Sequence, residues 1–136
     1  MLFNVSKCKV MHLGYRNCEY SYYMDGIALD VLELEKDLGI TISKDLKVFQ
    51  QCKQAYSKAS RMLGVINRSI KSKDRYILLS LYKSLVLPHL EDCISAWSPH
   101  YVKDKELLER IQHRFTRMIP ELRNLPYLQR LEELKL

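Results

Sequence analysis

Hydrophobic and polar positions follow two different periods along the chain. From residue 7 to about residue 43, the apolar residues occur in short runs that are separated by turn-forming residues. Three of these runs are predicted as strands: residues 8–13, 20–24 and 38–42. The Asp25-Gly26 pair lies between apolar flanks, and it predicts a hairpin turn because glycine tolerates a positive φ. We therefore expect a small antiparallel sheet here.

After residue 43 the apolar period becomes helical. A first helix is predicted from Asp45, as a plausible N-cap region, to near Arg68. One face of this helix is apolar at spacings of three and four, and its members are Phe49, Cys52, Ala55, Tyr56, Ala59, Met62, Leu63 and Ile66. Such a stripe is typical of a helix that packs on a core.

Four further helices are predicted from the same period. One spans residues 74–86 and is interrupted by Pro88, after which residues 90–97 resume as a shorter helix. Another spans residues 103–119 and ends at Pro120, and an exposed helix is expected over residues 126–136. The predicted fold class is therefore α+β and mostly helical: a small antiparallel sheet in residues 1–45, then a helical bundle in residues 46–136.

Composition limits the compartment and the class of protein. The chain has 136 residues, of which 47% are hydrophobic, so it can form one small domain with a core. No apolar run reaches the length of a membrane span, and no signal peptide is recognisable. Four cysteines occur without a CxxC pair, which favours reduced thiols. We expect an intracellular protein of the cytoplasm or nucleus that is not secreted and has no membrane partner.

Positive charge is concentrated in the helical part. Residues 1–45 hold 5 Lys and Arg against 7 Asp and Glu, whereas residues 46–136 hold 17 against 9. No acidic residue occurs from residue 46 to residue 73, a stretch with seven Lys and Arg residues. The candidate contacts with a nucleic-acid backbone are Lys47, Lys58, Arg61 and Arg68. The alternative is that this polar face of the first helix is simply solvated.

Several short stretches, in collinear order, resemble the end of a known enzyme domain. They are FNVSKCKVMHLG at residues 3–14, LGI at 38–40, LYKSLV at 81–86, PHLE at 88–91, AWSP at 96–99, LERIQ at 108–112 and TRMIP at 116–120. Together they resemble the last palm strands and the thumb of the reverse transcriptase in LINE-type (jockey-like) non-LTR retrotransposons. The likeness extends over nearly the whole chain.

The resemblance implies roles for particular residues. Lys7 aligns with the lysine of an NxxK pattern that lies close to the incoming nucleotide, and Leu38 and Gly39 align with the turn that grips the primer. The helical part would be a thumb that follows the backbone of an RNA/DNA hybrid without reading bases. The intact enzyme makes DNA from RNA with Mg²⁺, and its missing remainder would be a partner of this chain.

Departures from the family pattern predict that this chain alone is inactive. Polymerases clamp two metal ions between carboxylates, and the (F/Y)ADD turn that supplies them is absent here. No catalytic or metal-ligating residue is therefore assigned, and no cofactor is expected for this chain. Cys8, His12 and Cys18 lack a fourth ligand at a familiar zinc spacing. We expect a truncated, marginally stable fragment with exposed apolar faces; the alternative is a non-catalytic helical module that binds nucleic acid or protein.

Overall fold

The strands lie in the first third of the chain and the helices follow, in the order that the change of period predicts. These elements come from a computed structural model, which describes residues 2–91 and 97–136. The chain divides into two units, Met1–Gln51 and Cys52–Leu136, hereafter the strand unit and the helical unit. The mostly helical α+β fold class is confirmed. No helix in the described ranges is both long and apolar enough to cross a membrane.

Short strands form three separate pairs in place of one sheet. The strands are β1 Lys9–Val10, β2 Tyr23–Met24, β3 Ile27–Ala28, β4 Asp30–Val31, β5 Leu34–Asp37 and β6 Ile40–Ser43. The β2–β3 and β5–β6 pairs are antiparallel, as expected, whereas β1 and β4 pair in parallel. Lys9 and Asp30 lie opposite each other in that parallel pair, and their side chains form an ion pair at 2.6 Å.

The predicted hairpin at Asp25-Gly26 is confirmed. Met24 pairs with Ile27, so the loop has two residues. Asp25 has a φ of 50° and Gly26 a φ of 75°. Positive φ at both positions is the type I′ turn, whose twist matches that of the strands it joins.

A second hairpin corrects the predicted strand at residues 38–42. Asp37 pairs with Ile40, so Leu38 and Gly39 form the two-residue loop, and the strand begins at Ile40. Their φ values of 47° and 87° again define a type I′ turn. The apolar character of Leu38 misled the prediction, because this side chain is 89% exposed at the tip of the hairpin.

The strand unit has no apolar core of its own among its described residues. Its buried side chains are polar: His12, Thr41, Ser43 and Gln51. The Thr41 amide donates a 2.8 Å hydrogen bond to Gln51 Oε1, which accounts for part of that burial. Large apolar side chains, such as Tyr20 and Tyr23, are more than half exposed instead.

Five helices are described in the remainder of the chain. They are α1 Phe49–Ser69, α2 Arg75–Leu81, α3 Leu87–Glu91, α4 Val102–Met118 and α5 Tyr127–Leu134. The first helix begins four residues later than predicted. Asp45 instead accepts the Lys47 N–H within a turn, and Leu46 has a φ of 55°, which no helix adopts.

Pro88 does not interrupt the second helix as predicted. A π-helical turn, Tyr82–Val86, follows α2 and runs directly into α3. The Leu87 N–H donates a hydrogen bond to the Tyr82 carbonyl, five residues earlier, so the helix is locally wider than an α-helix. This widening lies where the proline ring would clash with a regular α-helix. Pro88 then follows within α3, where it has no N–H to donate to a carbonyl of the preceding turn. The rest of the predicted helix 90–97 lies largely outside the described residues.

The helices of the helical unit enclose one apolar core. Its buried members are Ala59, Leu63, Ile66, Leu78, Tyr82, Val86, Leu90, Ile111, Phe115, Ile119, Leu122 and Leu134. Tyr82 and Phe115 stack near parallel, with ring centroids 4.0 Å apart. The prediction that the last helix is exposed is wrong, because Arg130 and Leu134 of α5 are buried.

Candidate nucleic-acid interface

One face of α1 carries a line of polar and small residues. Lys53, Ser57, Arg61, Gly64 and Arg68 follow one another at spacings of four, four, three and four residues. Because an α-helix repeats every 3.6 residues, these positions lie above one another on the same side. The apolar stripe that packs on the core lies on another side of the helix, so this line is free to face a ligand.

The line borders a groove that α4 closes on its other side. The groove has a volume of about 550 Å³, and the residues that line it are Lys53, Tyr56, Ser57, Ser60, Arg61, Gly64, Arg68 and Arg114. Arg114 comes from α4 and donates a 3.2 Å hydrogen bond from Nη1 to Ser60 Oγ. This bond holds the guanidinium over the groove and joins two helices that are far apart in sequence.

Four cations therefore meet in the groove: Lys53, Arg61, Arg68 and Arg114. Within the described ranges, none of the four forms an ion pair with a carboxylate. Like charges that are left together repel one another, and an anion bound between them removes that repulsion. Arginine also presents a planar fork of N–H donors that matches two phosphate oxygens at once.

The sequence-predicted backbone contacts divide between the groove and other places. Arg61 and Arg68 line the groove. Lys58 is exposed on α1 but does not line it. Lys47 precedes the helix in the strand unit, where its ammonium lies 3.7 Å from Asp45 Oδ2.

Sequence reasoning missed two cations of this site. Lys53 was counted only as part of the basic stretch, although its four-residue spacing to Ser57 and then to Arg61 is visible in the sequence. Arg114 lies on α4, and the chain separates it from Ser60 by 54 residues. No local pattern in the sequence indicates that Arg114 and Ser60 are close in space, so only the packing of α4 on α1 identifies Arg114.

The residues that the family resemblance singles out lie in two turns of the strand unit. Lys7 ends a 3₁₀ turn, Val5–Lys7, that Asn4 caps by accepting the Ser6 N–H, and its side chain is exposed. Leu38 and Gly39 form the exposed tip of the β5–β6 hairpin. Both turns are exposed to solvent, and neither belongs to a cluster of catalytic groups among the described residues.

A second polar cluster lies where α5 packs on α4. Arg130 is 3% exposed, and its Nη2 lies 3.4 Å from His113 Nε2. The Tyr127 ring lies 4.6 Å from the His113 ring, and the Tyr127 hydroxyl lies 3.4 Å from Gln112 Oε1. Burial lowers the pKa of His113, and the nearby charges of Arg117 and Arg130 lower it further. Burial raises the pKa of Tyr127 to about 12. The neutral imidazole of His113 accepts a hydrogen bond from Arg130, and this contact holds α5 against α4.

Side chains that could bind a metal ion do not cluster in the part of the chain that is described. No group of three His, Cys, Asp or Glu side chains there lies in an arrangement suited to a metal ion. The two Mg²⁺ ions that the resemblance implies for the intact enzyme therefore do not fit the residues described. Asp92, an acidic residue of the predicted helix at residues 90–97, lies outside the described residues.

No protein-family model, no curated protein and no solved structure matches the chain.

Proposed function

We propose that the helical unit binds nucleic acid through its phosphate backbone, in the groove between α1 and α4. The observation that carries this proposal is the meeting of four cations without a carboxylate partner among the described residues. Phosphate contacts of this kind position a protein on nucleic acid and read no sequence. With only four such contacts, binding is weak and strongly dependent on salt.

We further propose an origin for this function, from the resemblance described above. The chain would correspond to the last palm strands and the thumb of a LINE-type RNA-directed DNA polymerase, with an RNA/DNA hybrid as the ligand of the intact enzyme. Lys7 would lie near the nucleotide, and Leu38 and Gly39 near the primer end. Because the metal-binding aspartates are absent from this sequence, reverse transcription would require the remainder of the polymerase and Mg²⁺.

The second candidate is a non-catalytic module that binds a protein partner. Exposed apolar side chains in the strand unit favour it, since Tyr20, Tyr23 and Leu38 are each at least 67% exposed. Contiguous exposed apolar surface marks interaction sites in many proteins. The two candidates use different residues, so variants of the groove separate them.

The test is binding of the full chain to a labelled RNA/DNA hybrid over a salt series. Four neutralised phosphates predict a slope of about −3.6 in log K against log salt, by the coefficient for duplex DNA. Affinity would then fall by about 150-fold when salt rises fourfold. Arg61→Glu/Arg68→Glu reverses two groove charges and is expected to abolish measurable binding.

A matched control separates the groove from net charge. Lys71→Glu/Lys105→Glu makes the same change in net charge at two exposed positions that do not line the groove. Near-normal binding is expected from this control. Equal loss in both double variants, or a hybrid affinity that does not change with salt, would contradict the proposal.

A further inference from the structure

The groove contains one aromatic residue among its cations. Tyr56 lines it and lies one helical turn before Ser60. The Tyr56 side chain is half-buried and packs against the core of the helical unit, so its ring is held in place. Proteins that bind single strands combine a cationic groove with fixed aromatic rings on which bases stack.

The position of Tyr56 in the groove suits a single strand better than a duplex. From Lys53 to Arg68 the axis of α1 rises by about 22 Å, at about 1.5 Å per residue. The groove of about 550 Å³ is largely open to solvent, so an extended strand can lie along it. In a duplex the base faces are stacked inside the helix and cannot reach a side chain at the bottom of such a groove, whereas an unpaired base can.

Gly64 adds an independent observation. It lies inside α1, where glycine is less favourable than alanine by about 1 kcal/mol. A Cβ built at this position would meet no atom within 4 Å, so packing against neighbours does not require glycine. Gly64 lines the groove between Arg61 and Arg68, so no side chain stands at this position between the helix and a ligand.

We infer that the groove takes a single strand of nucleic acid, with one base stacked on Tyr56. This inference rests on the proposed function and specifies its ligand. Phosphates lie along Lys53, Arg61 and Arg68. Arg114, which the Ser60 hydroxyl positions, closes the opposite wall over the strand.

The experiment compares labelled oligonucleotides of equal length by fluorescence anisotropy with the full chain. The probes are oligo(dT), the same strand with abasic sites throughout, a DNA duplex and an RNA/DNA hybrid. Oligo(dT) is expected to bind most tightly. The abasic strand keeps every phosphate but has no base to stack, and it should bind about 5-fold more weakly or worse.

Protein variants supply the second arm. Tyr56→Phe keeps a ring in the groove and should bind oligo(dT) almost normally. Tyr56→Leu removes the ring while remaining apolar towards the core, and it should lose about 5-fold for oligo(dT) and nothing for the abasic strand. Circular dichroism of both variants confirms that the helices are retained.

The outcomes separate this inference from the proposed function. Equal affinity for oligo(dT) and the abasic strand, or tighter binding of the duplex or the hybrid than of oligo(dT), overturns the single-strand inference and leaves backbone binding intact. Failure of all four probes to bind a folded chain overturns both.

Discussion

Replacing Tyr82 with phenylalanine should stabilise this protein, although the same change usually destabilises a buried tyrosine. The Tyr82 ring is fully buried and stacks on Phe115 at 4.0 Å. Its hydroxyl oxygen has no hydrogen-bond partner among the described residues. Burial, with Tyr127 and Glu91 adding to it, raises the pKa of Tyr82 to about 12, so the phenol is neutral at ordinary pH.

The magnitude follows from the unpaired hydroxyl. A buried polar group without a partner costs about 1–3 kcal/mol of folding free energy. Phenylalanine removes that cost while it keeps the stacked ring and nearly all of the buried apolar area. We expect the free energy of unfolding to rise by about 1 kcal/mol, which corresponds to a rise in Tm of about 4 °C for a chain of 136 residues.

Thermal and urea unfolding of the full chain, followed by circular dichroism, measure this change. Tyr127→Phe is the matched control, because the Tyr127 hydroxyl has Gln112 Oε1 at 3.4 Å and loses a contact on substitution. The control should have a Tm equal to or below that of the parent chain. A fall in Tm for Tyr82→Phe would refute the reasoning, since it would mean that the Tyr82 hydroxyl makes a favourable hydrogen bond in the folded protein.

Three further predictions concern separate groups. Burial and nearby arginines, including Arg130, lower the pKa of His113 below its ordinary 6.5, so the folded state binds fewer protons there than the unfolded state. The contribution of His113 to stability should be full above about pH 6.5 and fall as the pH drops through the folded pKa. Acid unfolding should show a smaller loss in His113→Gln. Burial raises the pKa of Cys52 to about 11, so iodoacetamide should alkylate the exposed Cys18 well before Cys52, as mass spectrometry of the native chain would report; equal rates would contradict the burial. Leu38→Asn should stabilise the β5–β6 hairpin by about 1 kcal/mol, because asparagine tolerates the positive φ of this turn, and slower amide exchange across the hairpin would measure it.

The amino-acid sequence alone determined the local features of this protein. The change from short apolar runs to a helical period predicted strands first and helices afterwards, and α1 and α4 appear within a few residues of their predicted positions. Asp25-Gly26 predicted its hairpin, because positive φ depends mainly on the residues of the turn itself. Basic residues on α1 were also visible, because charge and helical spacing can be read directly from the chain.

Only the tertiary structure decided which of these features come together. Packing of α4 on α1 brings Arg114 to Ser60 and turns an exposed basic face into a groove. Burial of Arg130 in the last helix, and the π-helical turn that accommodates Pro88, were likewise not predicted. The physical reason is the same in each case: periodicity reports which face of an element is apolar, but the partner of that face is chosen by contacts between residues far apart in the chain.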